Sequence, residues 1–202
     1  MSVLLWLPSL SVAATRQSAE QVLANEPPEI VRRLEADRML VLENIGGSGK
    51  ESFVVAYVIF ERPLEDVLTL LRQAERQVEY RPELAGVKTV ETLKDGRVDE
   101  QRIRFLFTNL VYRVRYHEDP DTGRMEWKLD PRFDSDLARF EGYWEFATYA
   151  GEPNRTLARF GSLVDVGPAV PDFIQRGMSR KTVLRYLRNT RRWIDSNGKW
   201  RP

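Results

Sequence analysis

Apolar positions along the chain follow a helical period first, then a strand period, then a helical one again. Between residues 16 and 36, Val22, Leu23, Ile30, Val31 and Leu34 recur at near-helical spacing. The pattern predicts two helices split at Pro27-Pro28, with Pro28 in the first turn of the second. Met39–Leu42 reads as a strand. Phe53–Phe60 is an unbroken run of eight apolar residues, rich in β-branched and aromatic types, and reads as a strand covered on both faces or facing a cavity. Pro63 opens a helix whose stripe is Leu64, Val67, Leu68 and Leu71. Val78–Leu84 reads as a short helix or turn cut by Pro82.

After Gly86 the period becomes two. Strands are predicted over Val87–Leu93, Val98–Phe107, Leu110–His117, Met125–Leu129, Ala138–Tyr149 and Thr156–Val164. Hairpin-length loops join them, Asp95-Gly96 being the clearest signal, so the strands form an antiparallel meander. Gly167-Pro168 ends the sheet. Ala169 to Ile194 then reads as one helix of about 26 residues, ~39 Å long. This order predicts an α+β protein: a curved antiparallel sheet wrapped around a long C-terminal helix, with room for a ligand on the concave side.

The alternation assigns faces. Ile103, Phe105 and Phe107 share one side of their strand. Tyr112, Val114 and Tyr116 oppose Arg113, Arg115 and His117. Met125, Trp127 and Leu129 oppose Glu126 and Lys128, and Phe140, Gly142, Trp144 and Phe146 oppose Arg139, Glu141, Tyr143 and Glu145. The inner face is rich in rings, where a core built for stability alone favours Leu, Ile and Val. Rings with polar tips also suit a pocket wall.

Composition narrows the chemistry. The chain has 202 residues, 42% hydrophobic and 30% charged, which fits one globular domain with a tail and excludes a disordered chain. It has no cysteine and a single histidine, His117. Disulfide scaffolds, thiolate metal sites and multi-histidine centres are thereby excluded, and no cofactor is expected. The net charge of +1 conceals a division. Residues 176–202 hold nine Lys/Arg and one Asp, a net of +8, and the preceding residues hold 22 basic and 29 acidic side chains, a net of −7. The basic C-terminal helix is a solvated face or a contact for an anionic membrane. Nucleic acid is not expected as a partner, because the positive charge is one helix on an acidic body.

At the N-terminus, the apolar run of residues 3–10 is followed by Ser11-Val12-Ala13-Ala14, and residues 1–14 resemble the end of a secretory signal peptide without its basic start. That reading places the protein in an exported or periplasmic setting; without it the protein is cytoplasmic. The run is too short to span a bilayer, which needs about 20 apolar residues.

Four features together resemble the START-like, helix-grip (SRPBCC) superfamily, which includes polyketide cyclase/dehydrase and lipid-transport proteins and coenzyme-Q-binding START-type proteins. The first is the strand Ser52–Phe60 running through Glu61-Arg62-Pro63 into a helix. The second is Tyr80-Arg81-Pro82 before a strand. The third is Phe140-Glu141-Gly142-Tyr143-Trp144-Glu145-Phe146 followed by Thr156-Leu157-Ala158-Arg159-Phe160, and the fourth is Gly167-Pro168 leading into a helix with Leu184-Arg185-Tyr186-Leu187-Arg188. The resemblance covers about residues 51–197, within a ligand-binding domain drawn over residues 39–197. A helical segment, residues 15–38, precedes that domain, and a tail, residues 198–202, follows it. The resemblance implies a deep hydrophobic cavity for lipids, quinones, polyketides or hormones, in a superfamily that holds both binders and enzymes.

The residues expected to line that cavity are Tyr57, Phe105, Phe107, Tyr112, Tyr116 and Trp127, then Phe140, Trp144, Phe146 and Phe160, and on the last helix Phe173, Arg180 and Leu184. Arg180 lies near the apolar stripe, where a cation binds a carboxylate, phosphate or carbonyl head group or snorkels to the helix edge. No catalytic constellation is evident. His117 sits beside an acidic turn on the charged face and reads as a surface histidine. Gly46-Gly47-Ser48-Gly49-Lys50 fails the phosphate-loop spacing, with Asn44 and Glu51 at the wrong places and a strand following, and reads as a hairpin loop. The first functional expectation is a soluble carrier of a hydrophobic small molecule. The second is a cyclase/aromatase in which Tyr112, Tyr116 and Arg180 orient a polyketide. A weaker third is a protein-interaction module.

Overall fold

A computed structural model describes residues 16–46, 51–105, 108–165 and 180–202. Two short helices come first, α1 (Ala19–Leu23) and α2 (Pro28–Asp37). Ser18 caps α1 through a reciprocal pairing with Gln21. Pro28 stands at the first turn of α2, as its fixed φ favours. Strands β1 (Met39–Gly46) and β2 (Glu51–Phe60) form an antiparallel pair, which makes the connection around the glycines a hairpin; residues 47–50 of that loop lie outside the described residues. Helix α3 (Leu64–Leu71) follows, with the predicted stripe Leu64, Val67, Leu68 and Leu71 buried.

One short helical element sits elsewhere than the sequence predicts. The turn expected over Val78–Leu84 is a 3-10 helix over Ala74–Glu79, and Leu84 already belongs to the next strand. Val78 is 40% exposed, so its apolar character is not a sign of burial there. Gly86, read as a boundary, lies inside β3 (Leu84–Leu93) at an irregularity in its pairing.

The meander then runs through β4 (Gly96–Phe105), β5 (Thr108–Asp119), β6 (Arg124–Leu129), β7 (Arg139–Tyr149) and β8 (Glu152–Asp165). The eight strands form one sheet in the order β1-β2-β8-β7-β6-β5-β4-β3, with every neighbouring pair antiparallel. The last helix, α4, is described over Arg180–Asp195. Of the 26 residues expected in it, those before Arg180 lie outside the described residues.

The sheet has two apolar faces. On the inner one, Leu187, Trp193 and Ile194 of α4 join α3 and the rings of β5 to β8 in the main core. On the outer one, Ala19, Leu23 and Leu34 of α1 and α2 pack on Tyr57, Ile59, Ala147, Tyr149 and Leu157. This second cluster explains why Phe53–Phe60 lacks alternation. Both faces of β2 are covered, so neither selects polar residues. Arg155 ties the layer down by pairing with Glu35 of α2 at 2.6 Å and Glu152 at 2.8 Å. Among the described residues no helix is long and apolar enough to cross a membrane.

Candidate functional site: a ring-lined cavity under the last helix

Period two in β5 to β8 turns Tyr112, Tyr116, Trp127, Trp144 and Phe160 inward, and all are buried. They surround a cavity of about 160 Å³ between the sheet and α4. Phe160 centres the ring cluster. Its centroid lies 4.7 Å from Trp144, 5.7 Å from Trp127 and 5.7 Å from Tyr186 of α4. Phe140 meets Tyr112 edge-on at 5.7 Å. The lining residues Ile103, Phe140, Val164 and Val183 are half-buried, and on their side the cavity is partly open among the described residues.

Two glycines let rings lie flat on the sheet. Trp127 is the register partner of Gly142, and a Cβ on Gly142 would stand 2.3 Å from its Cζ2. On the outer face Tyr143 covers Gly161 in the same way, and Arg124 lies 4.2 Å from the Tyr143 ring centroid. Rings of this kind restore the contacts that a strand glycine lacks.

The predicted residues divide accordingly. Tyr112, Tyr116, Trp127, Phe140, Trp144 and Phe160 line the cavity. Phe146 faces the same side but stacks under Trp144 at 6.0 Å, within the core and off the cavity wall. Leu184 is half-buried on α4 beside the lining residue Val183 and is not on the wall. Tyr57 is on the opposite face. In β2 the even residues Ala56, Val58 and Phe60 point inward, so Tyr57 packs under α1 and α2 and donates to Glu26 Oε1 at 3.0 Å. Burial, helped by that carboxylate, pushes its phenol up to about 12. Phe107 and Phe173, and the side chains of Phe105 and Arg180, lie outside the described residues. His117 is exposed on the outer face, as its alternation predicts.

Sequence reasoning missed a polar track on the inner face. Counting back by twos from Ile103 leads to Gln101, Asp99 and Arg97, all buried. Tyr112 Oη donates to Gln101 Oε1 at 2.9 Å, and Gln101 Nε2 donates to Tyr116 Oη at 3.1 Å. Arg97 donates to Asp99 at 2.9 Å and lies 4.6 Å from the Tyr116 ring centroid, while Thr89 donates to the other Asp99 oxygen at 2.8 Å. At the opening, Arg81 donates to Glu83 at 3.1 Å and to Gln77 at 2.8 Å, over the ring of Tyr186. Arg81, from the segment between the 3-10 helix and β3, is thus a cation on the wall, with Arg97 and Arg185 also lining it. Burial opposes its charge, but Glu83 and the surrounding phenols hold the guanidinium above its ordinary range. Burial pushes the Tyr112 and Tyr186 phenols up to about 12 and raises Tyr116 as well, so all three are neutral donors at physiological pH. The alternation of β4 carries the signal for the track, since Gln101, Asp99 and Arg97 share the parity of Ile103. The described residues contain no cluster of His, Asp or Glu able to hold a metal ion.

No family model matches the sequence, and no curated protein matches it. Solved structures do match in fold. The Zhui aromatase/cyclase from Streptomyces sp. R1128 superposes with a TM-score of 0.58 at 14% identity, over 72% of this chain and 94% of that one. A STAR-related lipid transfer protein from Xanthomonas axonopodis gives 0.56 at 14% identity, over 78% and 99% of the two chains. A START superfamily protein from Mycobacterium smegmatis gives 0.57 at 13% identity, over 71% and 97%. With its antiparallel sheet wrapped on the C-terminal helix, this chain has the START-like helix-grip fold shared by lipid-transfer and aromatase/cyclase proteins.

Proposed function

We propose that the protein binds and carries a hydrophobic small molecule, a lipid, an isoprenoid quinone or a similar compound, in the cavity between sheet and α4. The observation that carries this reading is the cavity itself, a free space walled by rings from β5 to β8 and α4 and partly open on one side. Its volume of about 160 Å³ is below the roughly 300–1,000 Å³ of an ordinary small-molecule site. A space of this order holds a single ring. The head of such a ligand sits inside, and an acyl or isoprenoid tail leaves through the opening beside α4. Arg185 lines the cavity, Arg188 and Arg192 continue its exposed helix face, and this face meets an anionic membrane during loading or delivery.

Native mass spectrometry of the purified protein, with solvent extraction of what it holds, tests the reading. Bound lipid, quinone or aromatic material at one molecule per chain is expected. A protein that is recovered empty, and that takes up none of these when offered them, overturns it.

A second reading is favoured by the Tyr112–Gln101–Tyr116 hydrogen-bond chain beside Arg81. An aromatase/cyclase-type enzyme orients a polyketide with such groups, and positioning alone supplies much of the rate. In that case Arg81 fills the role that the sequence assigned to Arg180.

A further inference from the structure

Hydrogen bonds along the inner face run in one direction. Arg81 gives an N–H to Gln77 Oε1 at 2.8 Å, and Arg81 and Tyr112 line the same cavity. Tyr112 gives its proton to Gln101 Oε1, and Gln101 gives an amide N–H to Tyr116 Oη. The Tyr116 oxygen is thus an acceptor toward Gln101. Its own O–H proton meets no acceptor among the described residues.

A second unclaimed donor lies next to it. Trp127 is the register partner of Tyr116 on the neighbouring strand, with the ring centroids 6.4 Å apart. Its indole Nε1–H is buried and has no hydrogen-bond partner among the described residues. Buried donors without partners are few in native proteins, and each calls for an explanation. Here two stand on adjacent strands, on side chains that line the same cavity. Tyr112 heads the chain of bonds that ends at Tyr116, and such chains polarise their last donor.

Resting on the reading of this cavity as a ligand site, we propose that its ligand carries a carbonyl oxygen, which the Tyr116 hydroxyl and the Trp127 indole N–H receive. A carbonyl oxygen brings two lone pairs and no proton, which matches two donors. A plain hydrocarbon leaves both donors unmatched, and an alcohol adds a third donor. The cavity volume limits the inserted part to about one ring. The selected class is therefore a ring ketone, quinone or aryl ketone, with any longer chain directed outward.

Acetophenone and ethylbenzene form a test pair, alike in shape and different in the carbonyl. Their binding is measured by chemical-shift titration on the wild type, Tyr116→Phe and Trp127→Phe, each first checked for a folded spectrum. Acetophenone is expected to bind the wild type at least about tenfold tighter than ethylbenzene. Tyr116→Phe is expected to remove most of that preference while leaving ethylbenzene affinity nearly unchanged. Trp127→Phe gives a second, independent reading of the same preference. Equal binding of the two probes to the wild type overturns the carbonyl proposal and leaves the cavity reading standing. A preference that survives in both variants overturns the assignment to these two donors. Failure of both probes to bind counts against the cavity reading itself, and the proposal falls with it.

Discussion

At Gly142 the inner wall has no side chain of its own, and the Trp127 ring lies across the gap. A Cβ there would meet Trp127 Cζ2 at 2.3 Å and the carbonyl oxygen of Gly161 at 2.4 Å. The second contact is backbone, so the strain cannot be relieved by rotating a side chain. Gly142→Ala is expected to destabilise the protein by about 1–3 kcal/mol, as overpacking does, and to push Trp127 toward the cavity. Denaturant unfolding measures the loss, and a variant as stable as the wild type would contradict this contact. The sequence places Gly142 on the inner face by parity alone. It does not reveal which ring covers the glycine, because that depends on the pairing of β6 with β7. The same limit separates Tyr57 from Tyr112. In β5, charged residues on alternate positions mark the outer face, whereas β2 is covered on both sides and offers no such marker. Gln101, Asp99 and Arg97 were legible by parity, and their polarity hid them.

The 3-10 helix Ala74–Glu79 shows what pattern reading misses at the level of an element. Its apolar positions are few, and what holds it is a carboxylate. Glu79 receives bonds from Arg76 at 2.9 Å and from Trp193 Nε1 of α4 at 3.0 Å, and it pairs with Arg201 of the C-terminal tail at 2.8 Å. One side chain thus fastens the segment that supplies Arg81 to the helix that closes the cavity. The Arg76 bond, above all, holds the Glu79 carboxyl below its ordinary value of 4.5. The sign follows from the depressed value. The contribution is complete above pH 4.5 and is lost as pH falls from there through the lower folded-state value. Glu79→Gln is expected to lower stability by about 1–2 kcal/mol at neutral pH. The gap between variant and wild type should narrow as pH falls below 4.5, which melting curves across that range would check. A gap independent of pH would mean that the charge of Glu79 is not what matters.

Across the whole molecule, charge is unevenly spent. Arginines on the sheet are widely paired, as with Arg113 on Glu100, Arg155 on Glu35 and Arg124 on Glu126 and Glu145. Arg185, Arg188 and Arg192 are exposed on α4 and make no ion pair with any described residue. Each basic side chain near an anionic surface contributes about 1 kcal/mol, and salt screens the effect. Replacing the three with Gln is expected to weaken binding to phosphatidylserine-containing vesicles by roughly a hundredfold at low salt. Co-sedimentation reads this directly, and unchanged binding would remove the membrane from the proposal. The split of charge between body and C-terminus was legible in the sequence, whereas the lack of acidic partners for these three arginines among the described residues is visible only with the ion pairs of the sheet in place; Arg192 instead lies over the Trp200 ring.

The outer layer of α1 and α2 has a mechanical consequence. It covers β1, β2, β7 and β8, the strands that also carry α3 or α4 on their inner side, whereas β3 at the other margin meets the 3-10 helix and, through Glu91, Arg132 of the loop after β6. The sheet is therefore like a plate backed on both sides along one border and mainly on one side along the other. The aromatic wall of β7 and β8 stands on the doubly backed part, and β4 and β5, with Gln101 and Tyr116, stand away from the outer layer.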